Sequence, residues 1–277
     1  MLSAALSLTK EAVFFFSLLA VITPVSAQTP FLPDESKFGR PADQDNLSYC
    51  IDKRDPAWEV DARIAEAVAS ALLLNPDVYF VEDSAIRADV DQLYRHLRAN
   101  CRLYFGFKLL PEVYPDWLTV TRAYYEIGYV FVTANPNWAR LGDVPRDQAL
   151  GPSLATAGDF RLVAYLNAQP ANQRWSRYPM PNDAAALKAV IEGRVAAALV
   201  WAPSMYELGK SNPEIARLRI LASDPMPEER VSVGAVLLSG EGFLSTSVDQ
   251  AITTLINDGT IGEIVGGAGF PATPPSR

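Results

Sequence analysis

Two long extended runs constrain this chain more than any other feature. Tyr124 to Thr133 reads Tyr-Tyr-Glu-Ile-Gly-Tyr-Val-Phe-Val-Thr, and Val231 to Leu238 reads Val-Ser-Val-Gly-Ala-Val-Leu-Leu. Both outrun a usual strand of about 5–6 residues. Strands of that length suit segments that leave one folded body and enter another. Between them lies a stretch with its own alternation of helix and strand, so the chain is expected to cross between two lobes twice. A groove between two lobes is the usual seat of a small ligand, and a hinge lets it close.

The segment before the first long run alternates strand and helix. Leu47 to Asp52 reads as a strand ending in a charge. Asp55-Pro56 then opens a helix, since Asp can accept from free amides and Pro suits the first turn. Val60, Ile64, Ala67, Val68, Ala71 and Leu72 form an apolar stripe at helical spacing, which Asn75-Pro76 stops. Val78 to Val81 is a second strand, Val90 to Asn100 a second helix, and Arg102 to Gly106 a third strand. This β-α-β-α-β order implies a parallel sheet with helices on its faces. After the first long run, Asn182-Asp183 caps a helix with stripe Leu187, Val190 and Ile191. Ala196 to Trp201 is a buried strand, Ala202-Pro203 starts another helix, and Ile220-Leu221 is a short strand. Beyond the second run, Val248, Ile252, Leu255 and Ile256 form a helix, and Thr260 to Val265 a shorter one. The fold class is therefore α/β and two-lobed, with two crossover strands. The expected division is 46–123 plus 236–277 for lobe I and 124–235 for lobe II.

The N-terminus reads as an address. Lys10 precedes an apolar run from Ala12 to Ile22, Thr23-Pro24 breaks it, and Val25-Ser26-Ala27 offers small residues for cleavage. The run is short for a bilayer span and fits a secretory signal over 1–27. Residues 28–45, with Pro30, Pro33, Gly39 and Pro41, read as a flexible lead. No later segment approaches the ~18 apolar residues of a membrane helix.

Composition then removes classes of function. Acidic residues outnumber basic ones 32 to 24, for a net charge of −8, which argues against a nucleic-acid partner. A single histidine, His96, rules out sites that need two imidazoles, and two cysteines rule out thiolate zinc and iron–sulfur clusters. No nucleophile elbow, P-loop or dinucleotide fingerprint occurs. No metal or other cofactor is expected. Cys50 sits on the first predicted strand and Cys101 at the start of the third. An oxidising compartment invites a bridge if those strands are neighbours, and the alternative is two buried thiols. His96, between Arg95 and Leu97 on a helix, reads most simply as a surface residue.

Four segments, in order, resemble the periplasmic solute-binding proteins of the amino-acid-receptor type (family 3, type II). They are Tyr49–Asp52 with the helix containing Asp61, Tyr124–Val130, Leu187–Val200, and Ile256–Ile264. The resemblance covers about Leu47 to Phe270. It implies an exported, monomeric, non-catalytic receptor in the periplasm that traps a small solute between its lobes. Such receptors grip the ligand carboxylate with an Arg shortly after the strand ending at Gly106, but here the run is Gly106-Phe107-Lys108-Leu109. They hold the ligand ammonium with an Asp where this chain has Trp201, and their Ser/Thr-rich turn is echoed only by Gly151-Pro152-Ser153. An amino acid buried without its two ionic partners would leave charges uncompensated, at several kcal/mol each. The pattern is closer to a subgroup associated with periplasmic PQQ-dependent alcohol dehydrogenases, which implies a dehydrogenase or cytochrome partner. An ABC permease would be the partner of an amino-acid or organic-acid receptor.

The cleft candidates follow from position. Asp52 ends the first strand, where ligands sit in open α/β sheets. Trp58 lies in the first turn of the next helix, Phe107 and Lys108 just past Gly106, and Tyr124 and Tyr125 at the hinge. Ser153 and Trp201 would face them from the second lobe. A dehydratase-like enzyme on the same scaffold would need Asp52 or Glu126 as its acid or base.

Overall fold

The computed structural model describes residues 45–82, 90–109, 114–228 and 230–275. The expected signal peptide and the lead up to residue 44 lie outside the described residues. Among the described residues, no helix is long and apolar enough to cross a membrane.

The strand–helix alternation is realised as β1 (Asn46–Asp52), α1 (Trp58–Ala71), β2 (Asn75–Val81), α2 (Val90–Ala99) and β3 (Leu103–Leu109). β4 (Leu118–Val120) and β5 (Tyr125–Thr133) follow, then β6 (Ala149–Pro152), α3 (Ala157–Ala168) and β7 (Ser176–Arg177). The chain continues through α4 (Asp183–Ile191), β8 (Ala197–Trp201), α5 (Ala202–Ser211), α6 (Pro213–Ala216) and β9 (Arg219–Leu221). It closes with β10 (Arg230–Leu238), α7 (Gly242–Asn257), α8 (Thr260–Gly266) and β11 (Ala272–Thr273).

The first sheet has the order β2-β1-β3-β10-β5. β1 is parallel to both β2 and β3, as the βαβ units require, whereas β10 runs antiparallel to β3, β4 and β5. The second sheet is built from β8, β6 and β7 in parallel, with β9 at its side. β5 serves both sheets. Its first half pairs with β10 from Tyr125 to Gly128, and its second half pairs with β8 from Tyr129 to Val132. The hydrogen-bonded path is thus one curled sheet that β5 carries from lobe to lobe. The return passage runs from β9, paired with β5 in the second sheet, to β10 in the first. Two α/β lobes joined twice are the result.

Burial follows the sequence pattern. Val60, Ile64, Ala65 and Val68 on α1 turn inward onto β1, whose Leu47 to Ile51 are all buried, and Val248, Ile252 and Ile261 of α7 and α8 pack against the same core. The second lobe has two smaller cores. Phe131, Leu150, Leu162 and Leu199 fill one, while Val132, Leu187, Val190 and Val200 fill the other.

Local differences from the sequence reading have physical causes. Asp55 does accept from an amide, that of Ala57 at 2.9 Å, but in a turn, and regular helix begins only at Trp58. α1 ends at Ala71, four residues before Asn75, through Leu73 in the left-handed region (φ 59°). Asn182 caps α4 as expected, accepting from the Ala185 amide at 2.9 Å. α3 was not anticipated, although Thr156 caps it by accepting from the Asp159 amide at 3.2 Å. His96 corrects its sequence reading: it is 8% exposed, hydrogen-bonded to Asn100 through Nδ1 at 3.0 Å. Leu93, His96 and Leu97 share the buried side of α2.

Cys50 and Cys101 form a disulfide. β1 and β3 are neighbours with Cys50 opposite Tyr104, so the bridge ties β1 to the turn entering β3.

Candidate functional site

The site is built where β1, β3, β5 and β8 end or pass near one another. β1 delivers Asp52 to its C-terminal end. Arg54, two residues on, wraps back onto that carboxylate through Nε at 2.8 Å and Nη2 at 2.7 Å, and the Tyr104 hydroxyl donates from β3 at 3.3 Å. Burial works to raise the Asp52 pKa, but these hydrogen bonds and the guanidinium charge hold it below the usual carboxylate value. Asp52 is therefore a paired anion. Trp58 packs partly against the first-lobe core with its ring edge-on to Phe80 at 5.9 Å, and Lys53 Nζ stands 5.9 Å from its ring centre.

Lys108, on β3, donates to Asp55 at 2.6 Å and keeps 40% of its side chain accessible. Burial pulls its pKa down, and the Asp55 carboxylate more than reverses this, leaving it raised. The same ammonium stands 5.3 Å from the centre of the Trp201 ring. Phe107 is half-buried; its ring meets Tyr114 at 6.1 Å and packs on the cluster around the disulfide.

Helical spacing marks Asp61 only as part of α1, yet it is a buried hydrogen-bonding hub. It is 2% exposed, and both Tyr124 and Tyr125 donate to its Oδ1, at 2.9 and 3.1 Å. The Tyr124 oxygen in turn accepts from the Gly106 amide at 2.7 Å. Burial and the nearby Asp55 charge raise Asp61 to about 7, against the opposing pull of the two tyrosines and Lys108. Gly106 is at φ 80°, and a Cβ there would lie 2.8 Å from Asp61 Oδ2, so the position is closed to other residues for two reasons. Helix α1, strand β3 and the start of β5 are thus tied at one carboxylate. Tyr124 and Tyr125 are buried at the start of β5, and their hydroxyls serve this hub.

On the second lobe, Ser153 is buried just past β6 and its hydroxyl donates to Asp183 at the start of α4. Asp159 of α3 is held by Arg177 through Nε at 2.7 Å and Nη2 at 2.6 Å. Trp201 ends β8 directly opposite Tyr129 of β5, the two ring centres 5.0 Å apart. Although β8 belongs to the second sheet, the Trp201 side chain is 6% exposed and packed within the first lobe's core cluster. Its Nε1 is buried with no hydrogen-bond partner among the described residues. Tyr129, which sequence reading passed over, reaches across to α3. Burial raises its pKa, and the Lys108 charge opposes this in part.

Lys108, Trp201 and Tyr129 therefore come together, with Asp55 behind Lys108. Asp52 pairs with Arg54 and Tyr104, Trp58 faces Phe80, and Ser153 faces Asp183. The charges described here are matched within the chain: Asp52 with Arg54, Asp55 with Lys108, Asp159 with Arg177.

No protein-family model matches the chain, and no curated protein matches it. Solved structures do. The L-cystine solute receptor of Neisseria gonorrhoeae, in an unliganded open conformation, is 17% identical with a TM-score of 0.60, covering 81% of this chain and 93% of that one. MxaJ from Methlophaga aminisulfidivorans MPT is 15% identical with a TM-score of 0.57, covering 82% of this chain and 100% of that one. The GluR0 ligand-binding core, solved with L-glutamate, is 14% identical with a TM-score of 0.55, covering 80% of this chain and 97% of that one. This is a two-lobed, type II periplasmic-binding-protein-like fold. At such identities the likeness is one of fold, and it spans nearly the whole length of each neighbour.

Proposed function

We propose that this chain is an exported, non-catalytic protein of the periplasm that keeps the receptor fold and serves as an accessory of a PQQ-dependent alcohol dehydrogenase system. The observation that carries this reading is the state of the interlobe region. Where a receptor for a zwitterion needs an unpaired cation and an unpaired anion, Lys108 is joined to Asp55 and the end of β8 carries Trp201. A zwitterion entering there would exchange its hydration for groups already paired, and the desolvation would go uncompensated. The sequence resemblance to the dehydrogenase-associated subgroup adds the partner class, a quinoprotein dehydrogenase or its cytochrome. The proposed domain division remains 46–123 with 236–277 against 124–235, with a cleavable signal over 1–27 and a monomeric mature chain.

Two measurements on the purified mature protein test this. A thermal-shift series with amino acids, organic acids, alcohols and PQQ should be flat, because only a ligand that prefers the folded state raises the midpoint by mass action. Sedimentation velocity with the dehydrogenase of the same cell should give a saturable complex. A rise in midpoint with an amino acid and no complex would replace the accessory reading with that of an importer's receptor. One observation favours that second reading: Trp201 Nε1 is a buried donor that an acceptor on a solute could engage.

A further inference from the structure

The positions through which the two lobes face each other at β5 are taken up by the chain's own aromatic side chains. Trp201 leaves the second sheet and buries its indole in the core cluster of the first. Tyr129, opposite it, meets the indole edge-on, with the ring centres 5.0 Å apart. Gly158 has no side chain where the Tyr129 ring lies; a Cβ there would approach the ring to 2.7 Å. Lys108, anchored by Asp55 in the first lobe, holds its ammonium 5.3 Å from the centre of the indole. An aromatic ring with a cation near it and a second ring edge-on is favoured by both neighbours. The glycine beneath Tyr129, the cation over Trp201 and the burial of the indole all point the same way.

We infer that Trp201, backed by Tyr129, is a resident occupant of the interlobe groove: it excludes free solutes and fastens the second sheet to the core of the first. The indole takes the space a ligand would otherwise fill, and the Tyr129 ring covers Gly158 in the first turn of α3. Removing the indole opens a site whose matching ligand is a neutral, planar aromatic molecule of indole size. This inference rests on the two-lobed non-receptor reading but is independent of the partner. Loss of the dehydrogenase complex would leave it untouched, and its own failure would leave that complex intact.

The test uses the full mature chain with indole as the probe, read by thermal denaturation and by small-angle scattering. In the unaltered protein neither indole nor any L-amino acid should move the midpoint. Trp201→Ala should lower the midpoint by about 10 °C, from the usual cost of deleting a buried aromatic in a domain of this size. Saturating indole should restore roughly half of that loss by mass action, and return the enlarged radius of gyration to the unaltered value. Trp201→Phe, which keeps a six-membered ring in the groove and loses the pyrrole ring with its unpaired donor, should bind no indole. Equal stabilisation of unaltered protein and Trp201→Ala by indole would overturn the inference, as would a Trp201→Ala protein with unchanged midpoint. Should Trp201→Ala fold only with indole present, the inference stands. Should it stay unfolded even then, the unaltered protein decides: stabilisation by any L-amino acid refutes a resident occupant, and none sustains it.

Discussion

Replacing Asp61 with asparagine isolates the electrostatic cost stored at the hinge. The carboxyl is held at about 7 in the folded chain, against an ordinary value of 3.8. A group whose folded pKa is raised binds more protons in the native state, so its contribution to stability is greatest at low pH and declines as pH climbs from about 4 to about 7. Three pH units correspond to about 4 kcal/mol at most, and between pH 5.5 and 8 the change is about 2 kcal/mol. Asparagine keeps an oxygen that can accept from Tyr124 and Tyr125 yet carries no charge. Asp61→Asn should therefore match the unaltered protein near pH 4, exceed it increasingly as pH climbs towards about 7, and keep a constant lead above that. Urea titrations at pH 4, 5.5 and 8 measure this directly, since the midpoint moves with stability while the slope is constant. If the two proteins show parallel pH profiles, or the variant is weaker by the same amount at every pH, Asp61 is not the group that titrates and the burial argument fails.

Other sites give independent checks. Gly106→Ala combines a left-handed backbone at φ 80° with an approach of 2.8 Å to Asp61 Oδ2, and should lose about 2–3 kcal/mol in the same titrations. Cys50 and Cys101 are 51 residues apart, so opening their bridge with Cys50→Ser and Cys101→Ser should cost about 4 kcal/mol by chain entropy, measured against the oxidised protein. Arg177→Ala strands the carboxylate of Asp159, only 2% of whose side chain is exposed, and should cost about 3 kcal/mol; Arg177→Lys, lacking the two-pronged geometry, should recover only part.

Much of the architecture is legible in the sequence because hydrophobic period and strand length are local. The nine residues of β5 look too long for one sheet, and they are shared between two. β1, α4 and β8 announce themselves by continuous burial, an asparagine cap and a proline at the following helix start. α3 is signalled only by Thr156 and Asp159, a capping pair with spacing three, ahead of a weak apolar stripe. His96 was legible too: Leu93 and Leu97 lie three residues before and one after it, which turns it inward despite Arg95 and Arg98.

The site was legible only in part. Lys108 and Trp201 were found by position, and they meet. Asp61 was not singled out because, between Val60 and Ile64, a single carboxylate looks like the solvent side of a helix. Its partners are 63 and 64 residues away, and helical spacing carries no trace of them. Tyr129 is hidden in the same way: its apolar setting in β5 gives no sign that its ring lies against Gly158 in the first turn of a helix nearly thirty residues on.

The most direct measurement of the central claim is sedimentation velocity of the mature chain titrated into the PQQ-dependent alcohol dehydrogenase of its own cell. An accessory protein should give a faster-moving species that saturates at a fixed ratio and persists with millimolar amino acids present. Independent boundaries for the two proteins at every ratio would contradict it.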